Sequence, residues 1–176
     1  MKRKKRQWIY LAGCCAMLFL MMLMLQTSCA TSEAAKAAKA EQLALTKAKI
    51  EEGLANRQFT IDIERAQPQA PVGVINLTSP DSGTVDGDTL KSDLPFFGRA
   101  YSIPYGGGKG LRFVAPITGY YVDSSHRKRH IIYIDAVDTE DSYRYIITLF
   151  DGGSASVSVT PRQRSHIEFT GQFKTD

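Results

Sequence analysis

Tyr143-Arg144-Tyr145-Ile146-Ile147-Thr148-Leu149-Phe150, then Asp151-Gly152-Gly153, then Ser154-Ala155-Ser156-Val157-Ser158-Val159-Thr160 form the clearest β-hairpin pattern in the chain. Tyr143, Tyr145, Ile147 and Leu149 share one face of the first run. In the last run Ala155, Val157 and Val159 alternate with serines and a threonine. A period of two on both sides of a Gly-Gly turn sends one apolar face to a core and leaves the other to water.

Working outward, the same period recurs. Phe59, Ile61 and Ile63 alternate with Thr60, Asp62 and Glu64, and further strands are expected over 72–78, 89–92, 111–114, 118–122, 130–137 and 167–173. The connections at Asp86-Gly87-Asp88 and from Asp138 to Ser142 are too short for parallel crossovers, which take a dozen or more residues. The expected fold is α+β: a mainly antiparallel sheet of about eight strands in a meander of hairpins, preceded by one α-helix.

The helix is expected from Ser32 to Gln58, where Ala, Lys, Glu, Gln and Leu dominate and Ser32 offers an N-cap. Leu43, Lys47, Ile50 and Leu54 fall at offsets of 4, 3 and 4, a narrow stripe confined to the second half, so that half is expected to dock. As a continuous helix the segment would span about 40 Å at 1.5 Å per residue, enough to hold a domain off a membrane. A partly frayed tether is the plainer reading.

The first 29 residues have a different character. Lys2, Arg3, Lys4, Lys5 and Arg6 precede a charge-free run of 18 residues from Trp8 to Leu25, the pattern of an export signal. A run of that length also reaches the lower limit for a spanning helix. Under either reading the basic cluster stays cytoplasmic and the rest crosses. A lipoprotein signal ends at a cysteine that is acylated. Leu11-Ala12-Gly13-Cys14 has the more usual wording but precedes most of the apolar run, whereas Leu25-Gln26-Thr27-Ser28-Cys29 stands where the run ends. Cys29 is therefore the expected lipid anchor, with Gln26 departing from the usual aliphatic residue. The expected organisation is a lipoprotein-type signal peptide over 1–29, an Ala/Lys-rich helical tether over 30–58, and a β-rich domain over 59–176. The domain is expected on the periplasmic side of the cell envelope, with exposure at the outer surface as the alternative.

Charge and cysteine content narrow the function. Five of the 22 basic residues lie in the signal and none of the 18 acidic ones does, leaving 17 against 18 after Cys29. Such a balance lacks the cationic excess that nucleic-acid binding requires. All three cysteines lie at or before position 29, so no disulfide can form within the β-rich part, and its stability must come from packing.

Leu94-Pro95-Phe96-Phe97-Gly98-Arg99-Ala100-Tyr101, Pro104-Tyr105, Gly110-Leu111-Arg112-Phe113, the Asp-Gly-Gly-Ser-Ala hairpin and Gln163-Arg164-Ser165-His166-Ile167 together resemble a family of bacterial domains of unknown function numbered 4251. The likeness runs from about Phe59 to Phe173. It implies an envelope protein bearing a signal, and supplies no activity, ligand or catalytic residue.

Site chemistry must come from the residues. Gly106-Gly107-Gly108-Lys109-Gly110 is followed by the strand-like Leu111-Arg112-Phe113, and a phosphate loop would need Ser or Thr and a helix there. His126 and His130 would align as metal ligands on a helix, but on an extended chain their Cα atoms stand ~13 Å apart. Arg127-Lys128-Arg129 between them reads as a solvated turn. Contact with anionic lipid headgroups, at ~1 kcal/mol per basic residue, is its alternative. Asp135, Asp138, Glu140 and Asp141 read as a polar turn, with acid-base or calcium chemistry as the alternative. His166 has no recognisable partner motif. No metal or cofactor is expected.

Phe97, Arg99, Tyr101 and Tyr105 remain as the candidate ligand-binding residues: aromatic rings to stack on a sugar or hold a peptide, and a guanidinium to take a carboxylate. The alternative places Phe96, Phe97, Tyr101 and Phe113 in the core, with Arg99 paired to a buried carboxylate. Two functions follow. One is a noncatalytic envelope module binding a glycan, peptide or protein partner; the other is a small periplasmic hydrolase with a site assembled in space.

Overall fold

The computed structural model describes residues 28–69, 73–102 and 109–174. The apolar signal run, Cys14 and the side chain of Cys29 lie outside the described residues. Among the described residues are one helix, α1 (Ser28–Asn56), and eight strands: β1 (Gln58–Pro68), β2 (Ile75–Asp86), β3 (Thr89–Leu94), β4 (Leu111–Asp123), β5 (Arg129–Val137), β6 (Ser142–Phe150), β7 (Ser154–Pro161) and β8 (Ile167–Phe173). Every neighbouring pair is antiparallel, and β8 returns to β1, so the meander closes into a barrel. The chain divides into two compact units, one ending at Gln42 and one from Leu43 onward. The second contains the barrel.

Eight strands enclose a space just wide enough for side chains to fill, and here they fill it. Ile61, Val85, Leu90, Leu94, Leu111, Ile132, Ile134, Tyr145, Leu149, Val159, Ile167 and Phe169 are fully buried, drawn from every strand. The hairpin 143–160 supplies Tyr143, Tyr145, Ile147 and Leu149 from β6 and Ala155, Val157 and Val159 from β7, as its alternation predicts. Phe113 stacks on Tyr143 at 4.1 Å between ring centroids, and its edge meets Tyr145. The Tyr145 hydroxyl donates to Ser92 Oγ at 3.0 Å, which satisfies two polar groups inside the barrel. Burial pushes the Tyr143 and Tyr145 phenols well above their ordinary pKa.

α1 starts at Ser28 and ends at Asn56, so Ser32 lies inside the helix rather than at its N-cap, and β3 runs on to Leu94; two further elements differ more in extent from the sequence expectation. The expected strands 111–114 and 118–122 are one strand, β4, which continues through outward-facing Pro116 by a register shift between Ile117 and Gly119. A bulge lets the strand keep its core face despite the missing donor. β2 begins at Ile75 and runs on to Asp86, beyond the expected 72–78. Its second half carries Asp81, Gly83 and Val85 at alternate positions, which does not read as apolar. Asp81 is nonetheless buried, with Arg112 Nη2 at 3.6 Å.

Both barrel ends are covered. At the end formed by the β2–β3, β4–β5 and β6–β7 turns, the second half of α1 inserts Ile50 and Leu54, both buried. Gly53 permits the approach, because a Cβ there would stand 2.9 Å from Gln58 O. Arg57, at a φ of 53°, turns the chain from α1 into β1, stacks its guanidinium over the Tyr120 ring at 4.7 Å and pairs with Asp88 at 2.8 Å. The opposite end is where the candidate residues lie.

Candidate functional site

The described parts of the connection from β3 to β4, 95–102 and 109–110, lie at this opposite end, and Arg164 meets both. Residues 162–165, between β7 and β8, run beside it: Ala100 forms a bridge with Arg164, Tyr101 N donates to Gln163 O at 2.8 Å, Ser165 N to Arg99 O at 2.9 Å and Arg99 N to Ser165 Oγ at 3.1 Å. The Arg164 guanidinium is buried. It donates to Gly110 O, lies 5.7 Å from the Phe96 ring centroid and meets Glu140 Oε2 at 3.6 Å. Asp141, also buried, accepts from the backbone N–H groups of Ser142, Arg162 and Gln163 at 2.8 to 3.1 Å.

Phe96 sits between the two ends of the connection. A Cβ on Gly98 would meet its ring at 2.6 Å, and one on Gly110 would touch its Cβ at 3.5 Å. The neighbours of these glycines, Arg99 and Lys109, are thereby brought to the same end of the barrel.

This arrangement divides the sequence candidates. Phe96 and Phe113 pack against the core, whereas Phe97 is 37% and Tyr101 71% exposed, with Arg99 exposed between them. Phe97, Arg99 and Tyr101 thus follow one another as an exposed row of ring, guanidinium and ring, on a chain that bends at Gly98 and Tyr101. Neither Arg99 nor Lys109 makes an ion pair with a described residue. It is Arg164, not Arg99, that meets a partly buried carboxylate. Tyr105 and glycines 106–108 lie outside the described residues. Beside the row is a cleft of about 610 Å³ lined by Leu94, Pro95, Phe96, Lys109, Gly110 and Arg112, in which Arg112 is held by Asp93 at 3.0 Å. Phe97, Arg99 and Tyr101 are not among the residues that line this cleft.

The remaining motifs are occupied otherwise. His126 lies 3.8 Å from Asp123, while His130 meets Ser124 Oγ at 2.8 Å and Asp151 at 4.0 Å, so the two histidines have separate partners. Asp138 Oδ1 accepts from Glu140 N and Asp141 N, both at 2.7 Å, and Asp135 pairs with Arg144 at 2.8 Å on the outer wall. The four carboxylates thus close turns and ion pairs. Among the described residues no group of His, Cys, Asp and Glu could hold a metal ion. One constellation escaped sequence reading: His166 bridges Thr160 Oγ1 at 3.1 Å and Glu168 Oε1 at 3.4 Å across β7 and β8. Alternation in the two strands was its only sequence signal.

The fold and its covered ends place this protein among eight-stranded up-and-down antiparallel barrels with a solid interior. The model of the family "Domain of unknown function (DUF4251)" matches residues 41–173, and the chain belongs to that family. It is also similar to the crystal structure, at 1.95 Å resolution, of a DUF4251 family protein from Bacteroides eggerthii DSM 20697. The TM-score is 0.57 at 15% identity, over 74% of this chain and 87% of that one, a likeness of fold. No curated protein matches.

Proposed function

We propose that this is a membrane-anchored envelope protein, held through a lipid on Cys29, whose barrel is a noncatalytic module binding a carboxylate-bearing glycan or peptide. The observation that carries the binding reading is the row Phe97, Arg99, Tyr101: two exposed rings flanking a guanidinium without a counter-ion among the described residues, on backbone fixed by hydrogen bonds to Gln163 and Ser165. Preorganised backbone lowers the entropy cost of binding, and a planar guanidinium takes a carboxylate in two hydrogen bonds. Lys109 adds positive charge at the same end.

The test is an array of glycans and peptides probed with the fragment Ser32 to Asp176. Capture of carboxylate-bearing members, weakened on the order of tenfold or more in Arg99→Ala, supports the reading. Equal capture by wild type, Arg99→Ala and Tyr101→Ala refutes it.

A hydrolase is the second reading, favoured by the Thr160, His166, Glu168 alignment, in which one imidazole links a hydroxyl to a carboxylate. Glu168 is 54% and His166 26% exposed at the side chain, and water weakens such polarisation. Ester turnover that disappears in both Thr160→Ala and His166→Ala would favour this reading over the first.

A further inference from the structure

The helix-covered end of the barrel carries a surface that the ligand row does not use. Arg127, Lys128 and Arg129 are consecutive and exposed at the β4–β5 turn. None of the three makes an ion pair with a described residue. The acids nearest the turn already have partners: Asp123 accepts from Ser125 N at 2.9 Å and lies near His126, while Asp151 is shared by Lys47 at 3.6 Å and His130 at 4.0 Å. Hydrogen bonds from Ser125 hold the Asp123 carboxyl below its ordinary pKa, so it remains committed to the turn.

The β6–β7 turn joins these cations to the start of the compact unit. Asp151 N donates to Lys128 O at 3.2 Å, and a Cβ on Gly152 would touch Leu43 Cδ1 at 3.9 Å. Leu43 is 49% and Phe150 40% exposed, and Phe150 pairs in register with Arg129. Aliphatic, aromatic and cationic side chains therefore share one end, where the compact unit begins.

We infer that this end docks on an anionic lipid surface, as a second membrane attachment beside the N-terminal anchor. Cations draw the surface to phospholipid headgroups, at about 1 kcal/mol per basic residue near the surface, while Leu43 and Phe150 enter the interfacial layer. The ligand row, at the opposite end of the barrel, then faces away from the membrane. This inference rests on the anchored reading for its geometry, and the two can fail separately.

The test uses the full chain reconstituted with vesicles of phosphatidylcholine alone or of phosphatidylcholine containing phosphatidylglycerol. Flotation reports attachment; hydrogen exchange over 124–130 and 150–153 reports docking. Expected are flotation with both compositions and slower exchange, on the order of tenfold, only on anionic vesicles, abolished by raised salt and in the triple variant Arg127→Glu, Lys128→Glu, Arg129→Glu. Exchange that is equal on both vesicles, or unchanged in the variant, overturns the docking surface while flotation upholds the anchor. Flotation with anionic vesicles only, lost in the variant, upholds the surface and overturns the anchor. Flotation with neither overturns both.

Discussion

Four residues carry separable physics. Arg164 is buried against Glu140, Gly110 and Phe96, so Arg164→Ala leaves part of that network unpaired. It should cost about 3 kcal/mol and speed hydrogen exchange at Phe97 to Tyr101, whereas Arg99→Ala, on the surface, should stay within about 0.5 kcal/mol in the same denaturant titration. Tyr145 and Tyr143 have raised pKa values through burial. Their contribution to stability is complete while the unfolded phenols remain protonated, below about pH 10. Above that the unfolded chain loses its protons first, and stability falls until the folded pKa is passed. Tyrosinate absorbance from these two residues should therefore appear only together with loss of the β circular-dichroism signal; ionisation of all eight tyrosines before unfolding would contradict it. Gly171 lies on the seam between β8 and β1, where a Cβ would collide with Asp62 O and stand 2.9 Å from Ile63 Cα. Because the obstacle is backbone, Gly171→Ala should destabilise the barrel by more than 2 kcal/mol, read from the shift in its denaturation midpoint.

At the scale of elements, the sequence was legible wherever one period persisted. The 143–160 hairpin and β8 alternate cleanly and form where alternation places them, while β5 forms from the apolar run Ile131 to Ile134. Helix composition located α1, and its late stripe identified Ile50 and Leu54 as the docking residues. Its end was less legible because Arg57, not glycine, adopts the left-handed conformation there. In β4 Pro116 resembles a break, and in β2 Asp81 occupies an inward position, so local pattern understated both strands. The α1 plug yields its own prediction. Ile50→Ala should lower stability by about 3 kcal/mol and, in hydrogen exchange, loosen 46–56 before the barrel strands. Uniform loosening of the whole barrel would show instead that plug and wall unfold as one unit.

At the scale of the whole molecule, closure was not legible, because it is a pairing of Ile61 with Phe173 that no local period encodes. The candidate site was half legible. Aromatic and cationic residue types marked Phe97, Arg99 and Tyr101, but which rings turn inward depends on Arg164 and Phe96, brought together only by the fold. The proposed anchor belongs to this scale too: Cys29→Ala should abolish acylation in a lipid-labelling assay, and unchanged labelling would reject Cys29 as the acceptor. The binding account is tested most directly by titrating the ¹⁵N-labelled fragment Ser32 to Asp176 with a carboxylate-bearing ligand recovered from the array and following amide resonances. Shifts concentrated at 97–101 and 109–112, and lost in Arg99→Ala, are the predicted result; shifts centred on Thr160, His166 and Glu168, with residues 97–101 unmoved, would contradict it.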